Sequence, residues 1–267
     1  MSYSLTWLAN VLEAAGLKVA EVPGWQERGR AEMGEVRGVI CHHTAGPRQG
    51  NMPSLRTVTE GRPDLPGPLA QLGLGRDGTF YVVAAGRCNH AGPGRWRGVT
   101  TGNSSFIGIE AENTGLHDDA QWPDVQMQAL RRGVAAILQH LRLTADDCAG
   151  HKEYALPPGR KTDPDFDMNA FRASVAAVMA GEVELPAMIP AQEPEARTGQ
   201  EAPRPTLRRG VVNKWVEQVQ RKCGVRIDGW FGGVTEAAVR EVQRRARLVP
   251  DGIVGPKTWL VLDNLPS

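Results

Sequence analysis

Three short stretches hold the residues best suited to chemistry. The segment GHKEYALPPGRKTDPDFDM, residues 150–168, carries a histidine, a loop fixed by two prolines and a glycine, and then Lys161 and Asp163. Such a loop can bring the His151 imidazole, an ammonium and a carboxylate to one point, although loop histidines and aspartates more often face solvent or make turns. His42 and His43 end the apolar run RGVICHHT, residues 37–44. Alternation along a strand puts the two rings on opposite faces, so at most one enters a given site. Either ring could be a ligand or a hydrogen-bonded structural histidine. In SFIGIEAEN, residues 105–113, alternation sets Glu110 and Glu112 on one face and Ile107 and Ile109 on the other. A carboxylate held on a strand beside a cleft can act as a general base, and the same pair could equally line a solvated face.

These residues need a scaffold, and the flanking sequence supplies its signals. The runs 37–44, 78–85 and 105–113 are β-rich and bounded by Gly, Asn or Pro, which reads as strands. Leu5, Leu8, Leu12 and Ala15 recur at helical spacing and Gly16 follows as a C-terminal cap, so the chain is expected to open with an amphipathic helix. Residues 125–143 place Met127, Leu130, Val134, Ile137, Leu138 and Leu141 on one helical face, and 169–181 form a last helix ending at Gly181. Strands alternating with helices indicate an α/β layer, with strand directions left open.

Taken together, two imidazoles, one oxygen ligand and a nearby carboxylate meet the specification of a zinc hydrolase that keeps a fourth position for water. The motifs VICHHTAG, LAQLGLGRDGTFYVV, NHAG, IGIEAENTG and GHKEYALPPGRKTDP, in that order over residues 35–175, resemble the zinc-dependent N-acetylmuramoyl-L-alanine amidases related to peptidoglycan-recognition proteins. The resemblance implies a mixed β-sheet flanked by helices. It also implies that His42, His151 and Asp163 bind Zn²⁺, that Glu110 is the catalytic carboxylate, and that Lys161 stabilises the developing oxyanion. His90, in NHAG, would line the substrate groove. The loop from His151 to Asp163 is longer than the common family pattern, and Asp165 and Asp167 stand close by as other carboxylates. The bond cut in this family is the amide between the lactyl group of N-acetylmuramic acid and L-alanine.

Composition sets the outer bounds. A chain of 267 residues with 41% hydrophobic and 23% charged content is globular and long enough for about two domains. Its net charge of +1 argues against a whole-chain nucleic-acid binder, and no apolar run approaches the ~18 residues of a membrane span. The first residues, MSYSLTWLANVLEAAGLKV, lack a basic n-region and carry Glu13, so no secretory signal is expected. Cys41, Cys88, Cys148 and Cys223 are scattered without a CxxC pair, which fits buried free thiols in a reducing compartment.

Residues 181–206 hold five prolines and five glutamates and read as a semi-rigid linker between a catalytic domain, 1–180, and a second domain, 207–267. Charge divides with it, since 207–267 carry eleven Lys/Arg against six Asp/Glu, which leaves 1–206 at −4. The second domain repeats DGWFGGVT (228–235) as DGIVGPKT (251–258). Asp-Gly asks for a turn with positive φ at the glycine, and the threonine is expected to cap the helix that follows. A three-helix module results, resembling the peptidoglycan-binding domain attached to many wall hydrolases. The expectation is therefore a monomeric two-domain amidase of the bacteriophage endolysin type, acting on bacterial peptidoglycan for host cell lysis. It would be held in the host bacterial cytoplasm until released to the wall. The alternatives are a cell-wall-recycling amidase, a non-catalytic peptidoglycan-recognition protein, and a structural zinc protein with a fourth protein ligand.

Overall fold

The computed structural model describes residues 2–116, 122–183, 204–246 and 248–265, and the chain divides into two compact units, Met1–Glu193 and Pro194–Ser267. The break falls in the Pro/Glu-rich stretch, most of which lies outside the described residues.

The first unit runs α1 Leu8–Ala14, β1 Lys18–Glu21, β2 Gly38–His43, α2 Leu55–Glu60, β3 Gly61–Arg62, β4 Leu65–Pro66, β5 Leu72–Leu74, β6 Thr79–Val82, α3 Gly102–Ser105, β7 Phe106–Ala111, α4 Asp124–His140, β8 Cys148–Gly150, α5 His151–Tyr154 and α6 Met168–Met179. Strands β3 and β4 form a small ribbon, and the other six make one sheet in the order β1-β6-β5-β7-β2-β8. The β5–β6 pair is antiparallel and the remaining pairs are parallel, so this is an α/β unit on a mixed sheet. Strands β2 and β7 read as nearly continuous apolar runs because both of their faces are covered. Val39, Cys41, Ile107 and Ile109 join a core with Leu12, Leu130, Val134, Phe171 and Val175 from α1, α4 and α6. Ile40 and Phe106 pack instead with Ala149 and Tyr154 in a separate cluster. Burial of each such large side chain contributes roughly 1.5–3 kcal/mol.

Several local expectations shift. Helix α1 begins at Leu8, and Leu5 lies buried in the turn before it. Gly16, at φ +73°, ends the segment as expected. Strands β1, β5 and β8 have only four, three and three residues, too few to show a period, and exist through their neighbours' ladders. The four cysteines are free thiols, with Cys41 and Cys148 buried 3.7 Å apart in the core, so Cys41 turns away from His42.

The second unit packs α7 Lys214–Cys223, α8 Gly233–Arg245 and α9 Pro256–Asp263 around Leu207, Val216, Val219, Phe231, Val254 and Leu262. Gly229 and Gly252 take the positive φ that the Asp-Gly turns require, +71° and +77°. The threonines do not cap their helices. Gly232 and Gly255 occupy the cap positions in extended conformation, and Thr235 and Thr258 sit inside the first turn, buried. Their hydroxyls instead accept hydrogen bonds from the Gln220 and Gln243 Nε2 groups, which fixes each turn onto the preceding helix. Among the described residues, no helix is long and apolar enough to cross a membrane.

Candidate active site

Strands β7, β2 and β8 are parallel neighbours, and their carboxyl ends carry Glu110, His42 and, just past Gly150, His151. Open α/β sheets bind ligands at this edge, where several strands release side chains toward one crevice. The ladder aligns His42 directly with Glu110. Helix α5 holds His151 in place: the Gly150 N–H donates to Glu153 Oε2 at 2.8 Å, and Arg172 grips both Glu153 oxygens at 2.8 and 2.9 Å. The loop bearing Asp163 is pinned by the same helix, since the Lys152 N–H donates to the Asp163 carbonyl at 2.6 Å and Lys152 Nζ to the Phe166 carbonyl at 2.8 Å.

These constraints bring three ligand-type atoms together. His42 Nδ1 lies 3.0 Å from His151 Nδ1 and 3.1 Å from Asp163 Oδ2, and His151 Nδ1 lies 3.0 Å from the same oxygen. All three residues are buried, and they form a group with spacing suited to a metal ion. Burial pushes the His42 imidazole down to about 4, against the opposing pull of Asp163. Burial alone would raise the Asp163 carboxyl, but the two imidazoles against it hold it well below the usual carboxylate range.

The far side of each ring decides which nitrogen is free. His90 Nε2 is 3.1 Å from the Phe106 carbonyl oxygen, which can only accept, so that nitrogen carries the proton. Burial, followed by the charges of His42 and His151, keeps the His90 imidazole neutral, which leaves His90 Nδ1 as an acceptor 3.1 Å from His42 Nε2. His42 therefore donates from Nε2 and presents a lone pair at Nδ1. His151 Nε2, 3.0 Å from the Ala91 carbonyl, is held in the same sense. With Nε2 as the donor in each ring, the Nδ1 atoms of His42 and His151 and the Asp163 oxygen converge on one point, an arrangement that a cation relieves. Gly108 makes this possible, because a β-carbon there would stand 2.8 Å from His90 Cγ.

His90 is thus 8% exposed with both ring nitrogens engaged beneath the cluster. Glu110 is partly buried, and its Oε2 is enclosed without a partner. Burial, reinforced by the Asp163 charge, pushes its carboxyl up to about 8, with Lys161 pulling the other way. Lys161 is exposed, and its charge reaches both His42 and Glu110.

The remaining candidates go elsewhere. His43 points away from the cluster toward Gly115 and Asp165, as alternation requires. Asp165 accepts from Trp122 Nε1 at 2.8 Å, and Asp167 caps α6 through the Asn169 and Ala170 N–H groups. Glu112 is not on a solvated face: it is fully buried and accepts from Thr44 Oγ1, Ser54 Oγ and the Ser54 N–H at 2.7–2.9 Å, which fastens the loop after β2. Sequence reasoning missed the Glu153–Arg172 clamp and the Phe106 and Ala91 carbonyls. The carbonyls have no side-chain signature at all, while the Glu three residues after Gly150 was a readable capping signal.

A peptidoglycan-binding-domain model matches residues 216–262. The amidase named 1,6-anhydro-N-acetylmuramyl-L-alanine amidase AmpD, from Citrobacter freundii, is 38% identical over 104 residues, which cover 38% of this chain and 53% of that protein; the chain thus spans about half the length of this curated relative. Among solved structures, a selenomethionine AmpD derivative aligns with a TM-score of 0.46 at 25% identity, over 65% of this chain and 99% of that one. The Escherichia coli amidase AmiD, in complex with anhydro-N-acetylmuramic acid-L-Ala-D-γ-Glu-L-Lys, aligns with a TM-score of 0.44 at 20% identity, over 94% of this chain and 96% of that one. The model described as N-acetylmuramoyl-L-alanine amidase matches residues 32–166, half of the chain and the stretch that carries His42, His90, Glu110, His151, Lys161 and Asp163, so the chain belongs to the N-acetylmuramoyl-L-alanine amidase family.

Proposed function

We propose that this protein is a zinc-dependent hydrolase that cuts the amide between the lactyl group of N-acetylmuramic acid and L-alanine in bacterial peptidoglycan. The observation that supports it most is the convergence of His42 Nδ1, His151 Nδ1 and Asp163 Oδ2 within 3.1 Å of one another, beside the unpartnered Glu110 carboxylate. Two imidazoles and one carboxylate are a ligand set typical of catalytic zinc, which would supply an acidified water near neutral pH and polarise the scissile carbonyl. The residues around that centre have separate tasks. Glu110 takes the proton of the attacking water and returns it to the leaving alanine nitrogen. A dication nearby would favour its ionised form against the burial that now raises its pKa. Lys161 offers an ammonium to the oxyanion of the tetrahedral intermediate. His90 acts behind the site, holding the tautomer of His42, rather than on the substrate.

The second unit supports insoluble wall as the substrate. Its net +5 favours an anionic polymer, and tethering a modest binder to the hydrolase raises the local substrate concentration. Such an anchor gains little on soluble muropeptides, and this favours an endolysin-type lytic role over recycling.

Release from purified sacculi of soluble peptides bearing a free L-alanine amine tests the reading. Chelation should abolish it and zinc should restore it, while Glu110→Gln should retain zinc and lose roughly 10²–10⁴ in rate. Full activity after exhaustive chelation would remove the metal, and wild-type turnover by Glu110→Gln would remove the base.

A further inference from the structure

The second unit is built twice on one polar brace. Gln220, buried, donates from Nε2 to Asp228 Oδ1, the Trp230 carbonyl and Thr235 Oγ1, and accepts at Oε1 from the Asp228 and Gly229 N–H groups. Gln243 repeats this 23 residues later, donating to Asp251, the Ile253 carbonyl and Thr258 and accepting from the Gly252 N–H. The brace needs only the shared Gln, Asp, Gly and Thr. What the two turns show to solvent is therefore free to differ, and it does. Trp230 and Val234 stand where the second repeat has Ile253 and Lys257.

Trp230 is 54% exposed, Val234 71% and Val212 69%. None of the three belongs to the unit's buried core, whereas Trp259 lies in it and Trp215 packs against it. Val212 pairs with Trp230 across an antiparallel bridge, so their side chains stand side by side. The backbone that carries the indole is fixed: the Trp230 backbone N–H donates to Asp228 Oδ1 at 3.0 Å and the Trp230 backbone carbonyl accepts from Gln220 Nε2 at 3.0 Å. The ring lies against Gly232, where a β-carbon would meet it at 2.7 Å. The Arg209 guanidinium reaches over the adjoining Gly233, two-thirds exposed and paired with Glu236.

A preorganised indole with aliphatic neighbours in water is costly to display and loses little entropy when covered. Its flat apolar face fits the axial C–H face of a pyranose ring, and the equatorial hydroxyls of such a ring stay in contact with water and polar groups. The neighbouring guanidinium and the unit's +5 charge match a glycan whose attached peptides carry carboxylates. Resting on the wall-anchor reading above, we infer that Trp230, with Val212 and Val234, is the platform on which the second unit stacks a sugar ring of the peptidoglycan glycan strand, with Arg209 facing a carboxylate of the peptide attached to that strand.

The test uses the full chain in a Glu110→Gln background, so that binding is measured without digestion, and follows co-sedimentation with purified sacculi. Trp230→Ala should weaken binding about tenfold or more, Val234→Ser should weaken it less, and Lys257→Ala, at the matching position of the other repeat, should leave it nearly unchanged. Circular dichroism of each variant reports whether the unit still folds, and exposed positions should tolerate these changes. A soluble N-acetylglucosamine oligosaccharide should displace the protein and should perturb tryptophan fluorescence in the unsubstituted chain but not in Trp230→Phe. Undiminished sedimentation of folded Trp230→Ala, or displacement by free stem peptide but not by the oligosaccharide, overturns the platform. Failure of the Glu110→Gln chain itself to sediment would overturn the anchor reading beneath it.

Discussion

Replacing His90 by phenylalanine removes a buried side chain that acts behind the site rather than on the substrate, yet it should cost the protein its metal. The ring bridges His42 Nε2 and the Phe106 carbonyl at 3.1 Å on each side. Both partners belong to residues only 1% exposed, so water cannot replace the lost bonds. Stranding a buried donor or acceptor costs about 1–3 kcal/mol each, which puts the loss of stability at roughly 2–6 kcal/mol. Metal affinity suffers separately, because His42 then has no reason to keep its proton on Nε2. Loss of such an outer partner typically lowers metal affinity 10–100-fold, or about 1.4–2.7 kcal/mol. Equilibrium competition against a chromophoric chelator reads the second effect, and thermal melts with and without zinc read the first. His90→Gln, whose amide can again bridge donor to acceptor, should recover part of both. Wild-type zinc affinity in a folded His90→Phe protein would refute the tautomer argument.

Three further outcomes follow from the same geometry. Glu110 has its folded pKa raised to about 8, so in metal-free protein the stability present below its ordinary range is lost as pH rises through that value. Glu110→Gln should therefore melt higher than wild type in chelator near pH 9 and equally near pH 4, and identical melting at both pH values would contradict the burial cost. Lys161→Met should lower kcat by roughly 10²–10³ with intact zinc content, as for loss of one oxyanion donor, and a change confined to KM would move Lys161 to ground-state binding. Gln220→Leu strands the Gly229 N–H and the Thr235 hydroxyl and takes one of the two hydrogen bonds of the Trp230 carbonyl, which keeps the Gly232 N–H. At about 1–3 kcal/mol for each stranded group, the loss of roughly 2–6 kcal/mol is comparable to the ~3–9 kcal/mol stability of a unit of about 60 residues. Wall sedimentation should then fail while hydrolysis of a soluble muropeptide persists.

The sequence carried the site further than it carried the sheet. Alternation alone separated His42 from His43 and paired Glu110 with the face opposite Ile107 and Ile109, because a six-residue strand with covered faces leaves side chains no other choice. Strands β1, β5 and β8 were illegible for the converse reason: three or four residues hold no period, and their existence depends on partners far along the chain. Three aspartates within five residues could not be ranked by spacing. Their roles diverge only once Lys152 pins the loop, His43 and Trp122 claim Asp165, and α6 claims Asp167. The threonines of the repeat were legible as fixed points and misread in role, since a glycine in extended conformation can start a helix and free the hydroxyl for a buried glutamine.

The most direct test of the central claim is mass spectrometry of purified sacculi digested by the zinc-loaded protein. The account predicts stem peptides with a newly freed L-alanine amine and glycan strands of undiminished length, with neither product formed by Glu110→Gln. Shortened glycan with the lactyl-alanine amide intact, or no soluble product from folded, zinc-loaded protein that still sediments with the wall, would contradict it.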